Sequence, residues 1–418
     1  MSDRSDSPDT PASGASGASE TGSRETDDPG KADRFTPAER VEAVPPSGIR
    51  AFFEVAESRE DVISLGVGEP DFTAPWAARS AAIESLERGR TSYTANRGMP
   101  ALRRAIARHV ERYDLAYDPQ EEILVTTGAS EAVDLAFRAL VDPGDVVALP
   151  TPTYVSYRPG VTFAGGDPLP VPTHHEDDWS LTPDALAAAG ADEADVLVLC
   201  YPNNPTGATM TGEELAAVAE FCLEHDLLVV SDEIYAALTY EGEHTSIATL
   251  PGMRERTVVV NGFSKAYAMT GLRLGYALAP PTASAAMTKV HQYGMLSAPT
   301  TAQHAAIRAL EDCDDDVVEM RREYDRRRRY LTARLRELGV AVAEPGGAFY
   351  AFPRVADVAP DGDDEAFATE LLETTGVAAV PGSAFGDGGA GHLRLSYATG
   401  MDDLKEAMAR LETFLADR

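Results

Sequence analysis

Lys265 and Arg273 lie eight residues apart in NGFSKAYAMTGLRLGY, residues 261–276, and Lys265 is one of only four lysines in a chain of 418 residues. Asp232 and Tyr235 follow an apolar run in the motif SDEIY. A lysine amine can form a Schiff base with an aldehyde, and a carboxylate can keep a ring nitrogen protonated. For a lysine taken alone, a solvated loop position is the commoner interpretation, so the case for chemistry depends on the other motifs.

Two further motifs supply groups that suit a phosphate and a ring oxygen. In TTGASEA a helix is predicted to begin directly after a strand, so the N–H groups near Ala129 and the Ser130 hydroxyl can face an anion. In YPNNPTG, Asn204 is held before Pro205 at a predicted strand end. Each motif alone is weak, because Gly-Ala-Ser also caps ordinary helices. Together the groups fit pyridoxal 5′-phosphate, which the sequence therefore predicts as cofactor.

The elements that must position these groups alternate between short β-branched runs and longer helical patterns. Strands are predicted at EILVTTG, DVVALP, ADVLVLCYP, LLVVSDE, RTVVVNG and RLGYALA, with helices such as ASEAVDLAFRALV and TGEELAAVAEFCLEHD between them. This alternation is typical of an α/β fold whose large domain has three layers around a mostly parallel sheet. Ligands gather at the carboxyl ends of such strands, where the polar motifs occur.

Four segments are predicted along the chain. Residues 1–34 contain no Val, Ile, Leu, Phe, Tyr or Trp, and are expected to be a disordered acidic tail. Residues 35–72 would join the small domain, residues 73–297 would form the large cofactor-binding domain, and residues 298–418 would form a smaller α+β domain with helices at TTAQHAAIRALED and RREYDRRRRYLTARLREL.

Over roughly residues 40–415 the sequence resembles the fold-type I pyridoxal-phosphate-dependent aminotransferases of class I/II, in the aspartate and aromatic aminotransferase family. It is most similar to the archaeal aromatic aminotransferases. The resemblance is carried, in the family's order, by SLGVGEPDF, TSYTANRGMPALRRAIA, TTGASEA, TPTYVSY, YPNNPTG, SDEIY, FSKAYAMTGLRLG, GAFY, PGSAFG and HLRLSYA.

The resemblance implies a role for each matched residue. Lys265 would be the Schiff-base lysine, Asp232 the partner of the pyridine nitrogen, and Tyr235 with Asn204 the partners of the ring oxygen. The remaining cofactor contacts would come from Tyr154 stacked on the ring, from Ala129, Ser130, Ser264 and Arg273 at the phosphate, and from Tyr93 of a neighbouring subunit. Arg394, Gly66 and Asn204 would bind the substrate, with Arg394 gripping its α-carboxylate.

The expected activity is an amino transfer between an L-amino acid, aromatic or aspartate, and a 2-oxo acid such as 2-oxoglutarate. Arg97, four residues after Tyr93 and so a candidate for delivery from the neighbouring subunit, is the best available cation for a second substrate carboxylate, although it suits a solvated loop equally well. Tyr154, Tyr157, Tyr267 and residues 349–352 are candidates for an apolar wall, although aromatic residues near a site are more often packing. Glu131 departs from the amide that relatives often carry beside the phosphate loop.

A lyase or synthase on the same fold, and a non-catalytic regulator, are the alternatives to an aminotransferase.

The amino-acid composition limits which binding partners and which solution conditions suit this protein. Asp and Glu outnumber Lys and Arg by 68 to 36, and the net charge of −32 disfavours binding to nucleic acid and to anionic membranes. This acidic, lysine-poor balance suits a halophilic protein. The three cysteines lack metal-ligand spacing, so no metal is expected. A cytoplasmic location is predicted because the first residues lack a signal-peptide pattern, and the resemblance implies a homodimer.

Overall fold

The runs of valine, leucine and isoleucine predicted as strands form one seven-stranded sheet in the computed structural model, which describes residues 36–46 and 61–417. The first strand of the described chain, β1 (Ile63–Ser64), lies outside this sheet. The strands of the sheet are β2 (Ile123–Thr126), β3 (Val146–Thr151), β4 (Asp167–Pro172), β5 (Val196–Cys200), β6 (Leu228–Asp232), β7 (Thr257–Gly262) and β8 (Gly275–Leu278). Their order is β2-β8-β7-β6-β5-β3-β4, and only β8 runs antiparallel to its neighbours. The predicted α/β fold with a mostly parallel sheet is confirmed.

The described helices include some that pack on the two faces of this sheet and others that belong to the C-terminal part of the chain. They are α1 (Glu39–Glu42), α2 (Trp76–Glu87), α3 (Pro100–Val110), α4 (Ala129–Leu140), α5 (Tyr157–Ala164), α6 (Pro183–Ala188), α7 (Gly212–Glu224), α8 (Pro281–Gly294), α9 (Thr300–Asp312), α10 (Asp314–Glu337), α11 (Asp364–Thr375) and α12 (Met401–Ala416). Helix α7 begins at Gly212, because Thr211 and Glu214 form a reciprocal capping box directly before and within its first turn.

Strand β5 illustrates how the three layers form. Successive side chains of a strand point to opposite faces, so Val196 and Val198 pack with Phe137 of α4, whereas Leu197 and Leu199 join the core cluster that contains residues of α7. The strand is buried on both faces, as its continuous apolar run predicts.

The C-terminal part of the chain contains two smaller sheets. Strand β1 pairs in parallel with β10 (Val377–Ala378), and β11 (Val380–Pro381), β12 (Leu393–Ser396) and β9 (Tyr350–Ala351) form an antiparallel sheet in that order. Helices α10, α11 and α12 pack together beside these strands. The carboxyl end of β1 is thereby brought next to the C-terminal strands.

The predicted domain limits stay predictions. The described residues from Arg40 onward form one compact unit, and α9 packs on α2 and α3 although it follows residue 298. The predicted tail at 1–34 lies outside the described residues, as do residues 47–60 of the predicted joining segment. Within the described part of the chain, no helix has the length and apolarity needed to cross a membrane.

Candidate active site

Lys265 lies in the turn that connects β7 to β8. Its Nζ donates a hydrogen bond of 2.6 Å to the carbonyl oxygen of Gly68, and it lies 5.8 and 5.5 Å from the ring centroids of Tyr235 and Phe349. Burial lowers the pKa of Lys265 to about 8, while Glu69 opposes this shift. The amine is therefore more readily neutral, and more nucleophilic near neutral pH, than an ordinary lysine.

Asp232 is the last residue of β6, and its carboxylate is buried. The Tyr157 hydroxyl donates to Oδ2 at 2.7 Å, and the Ile234 N–H donates to Oδ1 at 3.2 Å. Burial raises the pKa of Asp232 to about 6, although the Tyr157 hydrogen bond opposes the increase. Tyr157, a candidate for an apolar wall in the sequence, thus also hydrogen-bonds the carboxylate through its hydroxyl.

Arg394 on β12 brings Asn204 and Gly66 together. Its two terminal nitrogens donate to Asn204 Oδ1 at 2.9 Å and to the Gly66 carbonyl oxygen at 2.6 Å. The residue is only 4% exposed, its Nε is buried without a partner, and no carboxylate among the described residues pairs with it. A buried guanidinium with an unused donor and no counter-charge is suited to a ligand carboxylate.

Tyr235 meets a second tyrosine that the sequence did not single out for a polar contact. The hydroxyls of Tyr235 and Tyr350 lie 3.0 Å apart, and burial, followed by the neighbouring Tyr350, raises the pKa of Tyr235 well above its usual value. Both phenols are therefore protonated donors at neutral pH. Gly68 is required beside them, because a Cβ at that position would collide with the Tyr350 hydroxyl.

A second cluster surrounds the N-terminus of α4. Gly128, the N-cap, has φ 82°, and a Cβ there would lie only 2.8 Å from a terminal nitrogen of Arg273. Arg273 itself has a left-handed backbone with φ 53°, which is uncommon outside glycine and frequent at ligand sites. Its guanidinium thus lies against the turn that leads into Ala129 and Ser130. Helix dipole, free N–H groups and a cation together suit a phosphate.

The other residues predicted for the site differ in where they lie relative to Lys265 and Asp232. Ser264 is buried directly before Lys265, and Tyr154 is half-buried with its ring edge-on to Tyr157 at 5.5 Å. Tyr93, in contrast, is 82% exposed. Tyr267 packs in a different core cluster against Phe263, so it does not line the site.

Arg97 is held by its own chain. One terminal nitrogen donates to the Glu121 carbonyl oxygen at 2.9 Å and to Ser284 Oγ at 2.6 Å. These contacts attach one terminal nitrogen of the guanidinium to the loop before β2 and to α8. The structure therefore favours a structural role for Arg97 over the alternative of a substrate cation. Elsewhere in the described ranges, no group of three or more His, Cys, Asp or Glu side chains is arranged to hold a metal ion.

Comparison with known proteins identifies the family. The sequence model of aminotransferase class I and II matches residues 60–411. The Bacillus subtilis protein YugH is 50% identical over 376 residues, which cover 90% of this chain and 97% of YugH. The aspartate aminotransferase of Pyrococcus abyssi is 43% identical over 385 residues, 91% of this chain and 98% of that enzyme.

A solved structure agrees with this assignment. The aromatic aminotransferase of Pyrococcus horikoshii superimposes with a TM-score of 0.84 at 44% identity, over 88% of this chain and 99% of that one. The chain therefore belongs to the class I and II aminotransferases, and it is a pyridoxal-phosphate-dependent enzyme that transfers amino groups.

Proposed function

We propose that the cofactor is held between Lys265, Asp232 and the N-terminus of α4. The observation that carries this proposal is the convergence, at the carboxyl ends of parallel strands, of a buried amine with a pKa of about 8 and a buried carboxylate. Arg273 against Gly128 adds the cation that a phosphate needs. The donor set fits pyridoxal phosphate: its carbonyl would be held at Lys265, its pyridine nitrogen at Asp232, and its phosphate at Ala129, Ser130, Ser264 and Arg273.

The bound cofactor supplies an electron sink that makes the Cα–H of an amino acid acidic, and it carries the amino group from one substrate to the next. The chain's own residues do the rest. Lys265 Nζ would take the proton from Cα and deliver it to the carbonyl carbon of the cofactor, because its lowered pKa lets it be neutral at the start of the step. Tyr235 and Asn204 would donate to the ring oxygen, Tyr154 would cover the ring face, and Asp232 would keep the ring nitrogen protonated.

The substrate α-carboxylate is proposed to bind Arg394, whose buried Nε has no partner, with Gly66 and Asn204 orienting the guanidinium. We expect Arg394→Lys to lower kcat/KM roughly 100-fold for both the amino acid and the 2-oxo acid, because an ammonium cannot form the bidentate contact. The effect should appear mainly in KM. Arg410→Lys on α12 is the matched control. A KM within twofold of wild type for every substrate would contradict the assignment.

The proposed donors are aromatic amino acids and aspartate, with 2-oxoglutarate as acceptor. Relatives named for aspartate and for aromatic amino acids support this range. The hydrogen bonds that attach Arg97 to its own chain through one terminal nitrogen favour aromatic donors, because they give this candidate cation a structural role. Measuring kcat/KM for phenylalanine, tyrosine, aspartate, alanine and leucine against 2-oxoglutarate tests the proposal. Activity confined to alanine or leucine would refute it.

We propose a homodimer because Tyr93, a large aromatic side chain, is 82% exposed. Tyr293 is also exposed, at 86%. It lies shortly before Leu296, whose carbonyl oxygen accepts a hydrogen bond of 2.7 Å from Asn96 in the Tyr93 loop. Tyr93 would then reach the partner's cofactor phosphate. Sedimentation should give twice the chain mass. Mixing inactive Lys265→Ala with Tyr93→Ala subunits should restore activity, because one site of the hybrid is intact. A fully active monomer would refute the proposal.

A cytoplasmic location and a halophilic habit are also proposed, and the net charge of −32 supports the latter. Salt screens self-repulsion among surface carboxylates, so molar KCl should raise the unfolding temperature and the yield of refolded, active enzyme. Thermal unfolding at rising KCl concentrations checks this. Sucrose at equal osmolality controls for effects other than charge. Full stability in dilute buffer would contradict the halophilic proposal.

A further inference from the structure

Glu131, in the first turn of α4, forms two hydrogen bonds through its carboxylate. Oε2 accepts from the backbone N–H of Thr127, and Oε1 lies 2.7 Å from His291 Nδ1. Burial alone would raise the pKa of Glu131, but the hydrogen bonds from His291 and Thr127 outweigh it and lower the pKa. The carboxylate is therefore ionised and fully engaged, so this departure from the amide of related chains has a specific structural partner.

His291 belongs to α8 and is completely buried. Its Nε2 is also buried and has no partner among the described residues, so the contact with Glu131 is the ring's one hydrogen bond. A buried polar ring with a single partner is retained where that contact matters, because an apolar residue would avoid the cost of the unpaired nitrogen. The cofactor contacts proposed above use neither Glu131 nor His291.

The pair acts on the turn that precedes α4. A glutamate at the third helical position commonly reaches back to the N-cap, but Glu131 reaches one residue further, to Thr127. Gly275 of β8 lies so close to the turn that a Cβ there would collide with the Ala129 nitrogen. The turn Thr127–Ser130 is thus held by Glu131 at Thr127 and packed against Gly275 at Ala129.

We infer that Glu131 and His291 are positioning residues, which hold the turn Thr127–Ser130 in the shape that receives the cofactor phosphate. Neither side chain touches the phosphate. Both carboxylate oxygens of Glu131 point to other partners, which explains how an acidic residue is tolerated in the first turn of a phosphate-binding helix. The inference rests on the proposed function, because it assumes that the phosphate binds at this turn.

The test compares the affinities of the cofactor-free, full-length chain for pyridoxal 5′-phosphate and for pyridoxal, which lacks the phosphate. Both are measured by absorbance titration, without turnover. Glu131→Ala and His291→Ala should each lower the preference for the phosphorylated compound roughly 10- to 100-fold, because the turn loses the hydrogen bonds that fix it. Pyridoxal affinity should change less than threefold, which also reports that each variant is folded.

Conservative variants sharpen the test. Glu131→Gln can still accept from Thr127 and can donate to His291 Nδ1, since imidazole can carry its proton on either nitrogen, so it should keep the preference within threefold. Glu131→Asp keeps the charge but is too short for both contacts, and it should lose the preference as Glu131→Ala does. Glu131→Asp replaces Glu131→Ala if the latter does not fold.

Arg273→Met separates failure of the inference from failure of the proposed phosphate site. If Arg273→Met loses the preference while Glu131→Ala and His291→Ala keep it, the phosphate site stands and the inference is wrong. If all three variants keep the preference for pyridoxal phosphate, the phosphate binds elsewhere, and both the proposed phosphate site and the inference are wrong. Equal losses of pyridoxal and pyridoxal phosphate affinity in Glu131→Ala and Glu131→Asp, or a loss in Glu131→Gln as large as in Glu131→Ala, would also overturn the inference.

Discussion

Lys265→Ala is expected to lower the rate of amino transfer by roughly 10⁴-fold or more, because it removes both the nucleophilic amine and the group that moves the Cα proton. The cofactor should still bind without a covalent bond, since the contacts proposed for Asp232, Arg273 and the α4 N-terminus remain. Single-turnover conversion of an amino acid, followed by the formation of its 2-oxo acid, measures the effect.

Two controls distinguish this loss from a structural effect. Lys405→Ala removes an exposed lysine that pairs with Asp402, so it should retain wild-type turnover. Lys265→Arg keeps a positive charge, but a guanidinium stays protonated and cannot act as nucleophile or base, so it should be as inactive as Lys265→Ala. Turnover of Lys265→Ala within tenfold of wild type would contradict the proposed role of this lysine.

Asp232→Asn is expected to lower kcat roughly 10²- to 10³-fold, because a neutral amide cannot keep the ring nitrogen of the cofactor protonated at a buried position. The amide retains the size of the side chain and can still accept from Tyr157, so the unfolding temperature should change little. Steady-state kinetics together with thermal unfolding measure both quantities.

Tyr157→Phe provides the graded comparison for Asp232→Asn. It removes only the 2.7 Å hydrogen bond to Asp232 Oδ2 and leaves the carboxylate charge in place, so kcat should fall about tenfold or less. A larger loss in Tyr157→Phe than in Asp232→Asn would show that the hydroxyl, rather than the carboxylate charge, carries the effect. Near-normal kcat in Asp232→Asn would contradict the assignment of Asp232.

The central strands and the groups at their ends were predictable because both depend on local sequence. Apolar runs give buried strands, and residues at or shortly after the end of such a run, such as Asp232 and Asn204, lie at the carboxyl edge of the sheet. Strand β4 was not predicted, because its sequence DPLPVP contains three prolines. Prolines lack the N–H that a central strand needs, but β4 is an edge strand, where this loss is tolerated.

The supporting residues were not predictable, because their contacts link distant parts of the chain. Tyr157 meets Asp232 across 75 residues, and His291 meets Glu131 across 160. The sequence around Tyr157 does not show which part of the side chain is used, since a tyrosine can pack its ring in an apolar wall and can also hydrogen-bond through its hydroxyl. The contact that occupies Arg97 is likewise invisible in the sequence, because it depends on Ser284 of α8.

The most direct test of the account follows the amino group itself. The enzyme is incubated with pyridoxal phosphate, 2-oxoglutarate and either phenylalanine or aspartate labelled with ¹⁵N, and the products are identified by mass spectrometry. The account predicts labelled glutamate in a one-to-one ratio with the 2-oxo acid formed from the donor, and loss of this transfer in Lys265→Ala. Release of labelled ammonia without labelled glutamate, as a lyase would give, or no transfer from either donor, would contradict it.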